Sequence, residues 1–177
     1  MLETPQTATY YVLPAWNEEV AVGRVVSDLR KVDPAGHILV VDDASGDGTI
    51  KAAESSGALV LPMVHRLGPW GAMQAGMRYA VEKGCCRVIT MDADGQHLPN
   101  QLARLTDAMD QTDANVVIGA CNQRGSTLRQ CAWAIMRLCS GISADDLTSG
   151  FRLYDRQAIE LLVAEEASYL EHQDMGV

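Results

Sequence analysis

Asp92 and Asp94 stand one residue apart directly after the apolar run 87–91, and the side-chain amide of Gln96 follows two residues later. Two carboxylates and an amide oxygen form a hard-oxygen donor set, the kind that holds Mg²⁺ or Mn²⁺ while the cation carries phosphate oxygens. If the apolar run is a buried strand, both acids emerge at its carboxyl end, where open α/β sheets place their ligands. That combination points to a metal-bound nucleotide diphosphate at the sheet edge. An acidic triplet alone is as readily a solvated turn, so its neighbours have to decide. His97 lies in the same stretch and is read as a bystander rather than a ligand.

A second acidic strand end is Val40-Val41-Asp42-Asp43-Ala44-Ser45-Gly46-Asp47-Gly48-Thr49. Asp42 and Asp43 can accept hydrogen bonds from a base N–H or from ribose hydroxyls. Ser45 and Asp47 are turn formers, and Asp47 is read as a cap for the helix that follows. A third strand end is Leu13-Pro14-Ala15-Trp16-Asn17-Glu18, where backbone at Pro14 and Ala15 can wrap a flat base and Glu18 lies near the same edge. Its plain alternative is an ordinary strand-to-helix connection. His65-Arg66-Leu67-Gly68-Pro69-Trp70-Gly71-Ala72 brings two glycines to a helix start, where Gly71 lets backbone approach a phosphate and the helix N-terminus favours anions. No Gly-Lys-Ser or Gly-Lys-Thr follows, so this is not a Walker loop. No G-x-G-x-x-G follows the first strand either, which counts against a dinucleotide oxidoreductase. Arg152, in Ser149-Gly150-Phe151-Arg152, can grip a diphosphate or an anionic acceptor in bidentate fashion; its alternative is a surface ion pair with Asp146 or Asp155.

Strands alternating with helices must position these groups. Apolar runs predict strands at 10–13, 37–41, 58–61, 87–91 and 115–119, and 3.6-residue periodicity predicts helices at 18–32, 48–56, 70–83 and 99–111. The first helix carries Val22, Val25, Val26 and Leu29 as a stripe, with Asn17 as its expected cap. Beyond residue 119 the alternation weakens. An apolar helix is predicted at 128–142 and another helix at 156–164. The pattern is that of βαβ units in a mostly parallel sheet flanked by helices, a single α/β domain over 1–177 with a flexible stretch at 1–9. The end at Met175-Gly176-Val177 has no closing element, which predicts a fold cut short.

With 177 residues, 47% hydrophobic and 21% charged, the chain can bury a real core. Its net charge of −9 excludes a general basic surface for nucleic acid. Cys85, Cys86, Cys121, Cys131 and Cys139 have neither disulfide-like nor zinc-like spacing and read as reduced thiols in a cytoplasmic protein. No stretch reaches the roughly 20 apolar residues that span a bilayer. Arg124, Arg129 and Arg137 around the 128–142 helix suggest peripheral contact at a membrane's cytoplasmic face. A core helix or a homo-oligomer interface is the other reading of that segment.

Pro14…Asn17-Glu18, Val41-Asp42-Asp43-Ala44-Ser45-x-Asp47-Gly48-Thr49 and Asp92-Ala93-Asp94-Gly95-Gln96-His97-x-Pro99 together resemble the family 2 glycosyltransferases. His65-Arg66…Gly68…Gly71-Ala72…Gly76 and Asp146-Leu147-Thr148-Ser149-Gly150-Phe151-Arg152 resemble the branch that serves dolichyl and polyprenyl phosphates with mannose or glucose. The likeness spans residues 10–164. It implies a GT-A fold, a UDP- or GDP-sugar donor, Mg²⁺ or Mn²⁺, and a lipid-phosphate or glycan acceptor in the synthesis of cell-envelope polysaccharide. It further implies that Asp94 ligates the metal with help from Gln96, that Asp92 orients the sugar or ribose, and that Asp42, Asp43 and 14–18 hold the nucleoside. Pro69-Trp70 departs from the small residues usual there, and the family continues past this chain's end with a further helix and strand.

An anionic phosphate acceptor needs no general base, and a single displacement inverts the anomeric carbon. A hydroxyl acceptor would need a carboxylate, for which Asp146 and Asp174 are candidates. The metal on Asp94, with Arg152, would offset charge growing on the leaving diphosphate. Two other readings stand beside the transferase. One is a nucleotidyltransferase of similar sheet, which would carry a Gly-rich signature with Arg and Lys where this chain has 14–18. The other is a sugar-nucleotide-binding module or inactive fragment.

Overall fold

Period-two burial builds the sheet. In β1 (Thr9–Ala15), Tyr11, Leu13 and Ala15 enter one apolar cluster, while Tyr10 and Val12 enter another. Successive side chains leave a strand on opposite faces, so the two clusters are the two sides of one sheet. β2 (His37–Asp42) and β4 (Arg87–Thr90) repeat the pattern, with Ile38, Val40 and Ile89 on the first face and Leu39, Val41 and Val88 on the second. A computed structural model describes residues 8–94, 101–119, 149–165 and 167.

The remaining elements are β3 (Leu59–Pro62), β5 (Val116–Ile118) and β6 (Arg152–Asp155), with helices α1 (Val22–Val32), α2 (Thr49–Ser55), α3 (Gly68–Glu82), α4 (Leu102–Asp110) and α5 (Arg156–Val163). The six strands among the described residues run in the order β3-β2-β1-β4-β6-β5. β1 pairs parallel with β2 and β4, and β2 with β3; β6 is antiparallel to β4 and β5. Val22, Val25, Val26 and Leu29 of α1 and Leu102, Leu105 and Met109 of α4 cover the first face. Ala72, Met77 and Ala80 of α3 and Ala158 and Ile159 of α5 cover the second. α3 lies directly on the strands: a Cβ at Gly76 would stand 2.4 Å from Val12 Cγ1. Only glycine permits that approach.

The structure departs from the sequence expectations at three points. Sequence patterning gives no strand at 152–155, yet β6 sits between β4 and β5. Four residues with charge at both ends carry too little alternation to register. Asn17 does not cap α1, which begins only at Val22; the chain first makes a turn in which Ala21 and Val22 N–H bond to the Glu18 carbonyl. Arg152 is not part of a surface pair with Asp155: it is buried, and Asp155 caps α5 by accepting from Ala158 N–H at 2.8 Å. The predicted helix at 128–142, with Arg124, Arg129 and Arg137, and Cys121, Cys131 and Cys139 lie outside the described residues.

Candidate active site

β1, β2 and β4 are parallel, with β1 in the middle, so their carboxyl ends share one rim. A cleft of about 240 Å³ opens there. Its charged lining is Glu18 after β1, Asp43 after β2, Asp92 and Asp94 after β4, and Arg66 from the segment before α3. Pro14, Ala15 and Trp16 at the end of β1, with Pro69 and Ala93, supply the apolar wall. The rim therefore gathers four carboxylates and one guanidinium around a space of nucleotide scale.

Short polar side chains fix the β1 and β2 ends to one another. Asn17 has φ +57°, and its Oδ1 accepts from Gly46 N–H at 2.9 Å while its own N–H donates to Ser45 Oγ at 2.9 Å. Glu18 N–H donates to Thr49 Oγ1 at 2.8 Å, and Gly48 N–H to Glu19 Oε2 at 3.0 Å. Asp47 accepts from Thr49 N–H at 3.0 Å and Glu19 N–H at 3.2 Å, so it both starts α2 and ties the two loops. Tying both loops through backbone amides fixes the carboxyl ends of β1 and β2 relative to one another.

The adjacent Asp42 and Asp43 differ in what they touch. Asp43 Oδ1 accepts from Leu67 N–H at 2.6 Å and Oδ2 from Gly68 N–H at 2.9 Å, with Arg66 Nε 4.0 Å away. Gly68 has φ +79°, a left-handed conformation in which glycine escapes the Cβ clash, and this turns both amides onto one carboxylate. Asp42 is 2% exposed; its Oδ2 accepts from Ser45 N–H at 3.1 Å, while Oδ1 has no hydrogen-bond partner among the described residues. A buried carboxylate oxygen left unbonded costs stability and commonly marks a place for a ligand donor.

At the β4 end, Asp92 rests on the 149–150 backbone. A Cβ at Gly150 would come within 2.7 Å of Asp92 Oδ1, and Thr90 Oγ1 donates to the Gly150 carbonyl at 2.8 Å. Arg152 Nε donates to the Ser149 carbonyl at 2.8 Å. β6 thus buttresses the acidic triplet from beneath. Arg152 itself does not line the cleft.

Burial, then the charges of Asp94, Asp47 and Asp92, push the Glu18 carboxyl above its ordinary range. Like charges crowd this rim, and a cation would relieve them. Among the described residues no three His, Cys, Asp or Glu side chains form a preformed metal cage. Mg²⁺ usually binds through one or two carboxylates plus substrate phosphates. Asp92 and Asp94 fit such a role.

Of the residues singled out in the sequence, Pro14, Ala15, Glu18, Asp43, Asp92 and Asp94 line the cleft. Asn17 and Asp42 are not part of that lining, though each is next in sequence to a residue that is. Gly71 is one turn into α3, where a Cβ would meet Leu67 Cβ at 2.6 Å; it serves helix–loop packing. Gln96, Asp146 and Asp174 lie outside the described residues. Sequence reasoning has Trp16 only as part of the 14–18 segment and gives Arg66 no role of its own; both line the cleft, and the Arg66 guanidinium lies over the Trp16 ring, 3.5 Å from its centroid. An aromatic between two candidate residues, Ala15 and Asn17, is the available signal for the first.

The profile of glycosyl transferase family 2 matches residues 10–163. The chain is 34% identical over 182 residues to undecaprenyl-phosphate mannosyltransferase of Micrococcus luteus, covering 93% of this chain and 74% of that protein. It is 31% identical over 172 residues to polyprenol monophosphomannose synthase of Mycolicibacterium smegmatis, covering 88% of this chain and 64% of that protein. Among solved structures, mannosyl-3-phosphoglycerate synthase from Rubrobacter xylanophilus superposes with a TM-score of 0.69 at 23% identity, over 85% of this chain and 54% of that one. Glucosyl-3-phosphoglycerate synthase from Mycobacterium tuberculosis, solved with Mn²⁺, UDP and phosphoglyceric acid, gives 0.69 at 22% identity, over 85% and 56%. The fold is GT-A. The chain spans 64% of the length of the mycobacterial synthase and about half that of the solved structures.

Proposed function

The chain belongs to glycosyl transferase family 2, and from that premise we propose that it transfers a sugar from a nucleotide-diphospho-sugar to a polyprenyl phosphate, with a divalent cation and with inversion. The convergence of Glu18, Asp43, Asp92 and Asp94 on one cleft at the sheet's carboxyl edge carries the reading. The relatives' names, an undecaprenyl-phosphate mannosyltransferase and a polyprenol monophosphomannose synthase, support the acceptor class. The M. tuberculosis synthase solved with Mn²⁺ and UDP supports the cation and the nucleotide.

In this reading Pro14 and Ala15 line the base and the free Oδ1 of Asp42 accepts a base N–H. Asp94 and Gln96 are the metal ligands, with Asp92 beside them orienting the sugar or ribose. A cation held there would neutralise charge gathering on the departing diphosphate. The acceptor phosphate, already anionic, attacks C1 from the face opposite the diphosphate; the C1–O bond to the acceptor forms as the C1–O bond to the diphosphate breaks. No proton has to leave the nucleophile, so Asp146 and Asp174 are needed as bases only for a hydroxyl acceptor. Arg152, bonded to the Ser149 carbonyl, holds the segment under Asp92 rather than the diphosphate itself.

No helix among the described residues is long and apolar enough to cross a membrane. The proposal places access to a polyprenyl phosphate at peripheral contact on a membrane's cytoplasmic face. The family match sets the nucleotidyltransferase reading aside. Nucleotide binding without turnover is the second reading.

The test is turnover of labelled GDP-mannose, UDP-glucose and UDP-N-acetylglucosamine with undecaprenyl phosphate and Mn²⁺. Labelled lipid formed with inverted configuration supports the proposal. Tight Mn²⁺-dependent nucleotide binding without labelled lipid moves the assignment to the binding module.

A further inference from the structure

Arg66 is the single cation among the described residues lining a cleft that also holds Glu18, Asp43, Asp92 and Asp94. A diphosphate entering that ring of carboxylates needs every positive group it can reach, and a metal on Asp92 and Asp94 serves only one side of it. Yet Arg66 is not directed at an anion. Its guanidinium lies 3.5 Å from the Trp16 ring centroid, and its nearest recorded carboxylate contact is a loose 4.0 Å between Nε and Asp43 Oδ2.

The 3.5 Å spacing is the contact distance of stacked planar groups. A flat base stacking on Trp16 would need that same face of the ring. Trp16 is 45% exposed, and the Arg66 side chain is 55% exposed, so neither is locked by packing. The backbone behind them is fixed, because Asp43 holds the Leu67 and Gly68 amides at 2.6 and 2.9 Å. The side chain can therefore swing while its root stays put.

We propose that Arg66 is a two-position arm of the donor site: one position is the stack on Trp16, and the other is on the diphosphate, taken when a nucleobase occupies the Trp16 face. Asp43 is the positioning residue for this arm. An exposed cation–π contact is worth only about two- to fivefold in an equilibrium constant. A guanidinium–phosphate contact is charge-assisted and bidentate, worth about tenfold or more. The exchange runs downhill only when base and diphosphate arrive on one molecule, so the arm makes recognition of the two parts cooperative. This inference rests on the donor reading above.

The test is a chemical-shift titration of the full chain with nucleoside, and calorimetry with nucleoside diphosphate, for both uridine/UDP and guanosine/GDP at fixed Mn²⁺. Arg66→Ala should weaken the bound diphosphate about tenfold or more. It should leave the matching nucleoside unchanged or up to about fivefold tighter, because nothing has to vacate Trp16. Arg66→Lys should recover part of the diphosphate affinity, and Trp16→Ala should weaken both ligands. Equal weakening of nucleoside and diphosphate by Arg66→Ala would make Arg66 a fixed lid on the base and overturn the arm. Unchanged diphosphate affinity would make it a bystander and overturn the arm too. If the unmodified chain bound neither UDP nor GDP, the donor reading would fall first and take this proposal with it.

Discussion

Between β1 and β2 the rim is tied by side chains that accept backbone N–H groups, whereas between β4 and β6 a carboxylate rests against bare glycine. On the first side Asn17, Glu19, Asp47, Thr49 and Asp43 each spend an oxygen on an amide of a neighbouring loop. On the second, Asp92 approaches Gly150 so closely that a Cβ would collide with it. In the proposed function the first side is the cradle for base and ribose and the second faces the cation; burial, then the charges of Asp94, Asp47 and Asp92, raise the Glu18 carboxyl between them.

The largest break in that contrast should come from Asp94→Ala. Removing a group that stabilises leaving-group charge costs about 10²–10³-fold in turnover. The fold should survive, because Asp94 lies at the rim beyond the end of β4; circular dichroism and turnover on one sample check both halves. Gly150→Ala should rank next. Its Cβ forces Asp92 aside, and a misplacement of about 1 Å can cost up to about 10²-fold in rate, read as a loss in kcat that no added Mn²⁺ restores.

The amide-tied side should fail differently. Asp43→Ala strands two amides that a buried carboxylate now accepts, so about 1.5–3 kcal/mol of stability should be lost and Tm should fall by several degrees. Asp42→Ala removes one accepted amide bond, from Ser45, along with an unbonded buried oxygen, so it should cost less stability than Asp43→Ala and weaken nucleoside binding. Equal loss of stability in the two would erase the distinction drawn between these neighbours.

The smallest expected effect is a pH dependence. Glu18 has a raised pKa, so as pH falls it takes up a proton earlier than an ordinary carboxyl and the rim loses one negative charge. Without cation, the folded chain binds that proton more tightly than the unfolded chain; this stabilising contribution is present at low pH and lost as pH rises through the raised value. Mn²⁺ affinity should run the opposite way, rising with pH through that window, and more steeply in the unmodified chain than in Glu18→Gln. Identical slopes would remove Glu18 from the cation's surroundings.

The parallel half of the molecule is legible in the sequence because each strand there carries its own evidence. Alternation of polar and apolar residues is absent from β2; instead Ile38, Leu39, Val40 and Val41 form one apolar run, as coverage by helices on both faces demands. The acidic ends are legible for the complementary reason, since carboxylates after an apolar run have nowhere to go but the rim. β6 is not legible. Its partners β4 and β5 lie far from it in sequence, and only pairing makes Arg152–Asp155 a strand. Asn17 misleads because an amide side chain before a helix has two uses, and here it bonds across to Gly46 instead of down to α1. The stacking of Arg66 on Trp16 escapes because it joins two segments far apart in the chain, which no local pattern records.

Calorimetric titration of the unmodified chain and Asp94→Ala with UDP and GDP, each with and without Mn²⁺, tests the central claim most directly. The carboxylate rim predicts that one nucleotide binds far more tightly with Mn²⁺, and that Asp94→Ala abolishes this gain while leaving the weak metal-free binding in place. An undiminished Mn²⁺ gain in Asp94→Ala would contradict a cation held by this rim.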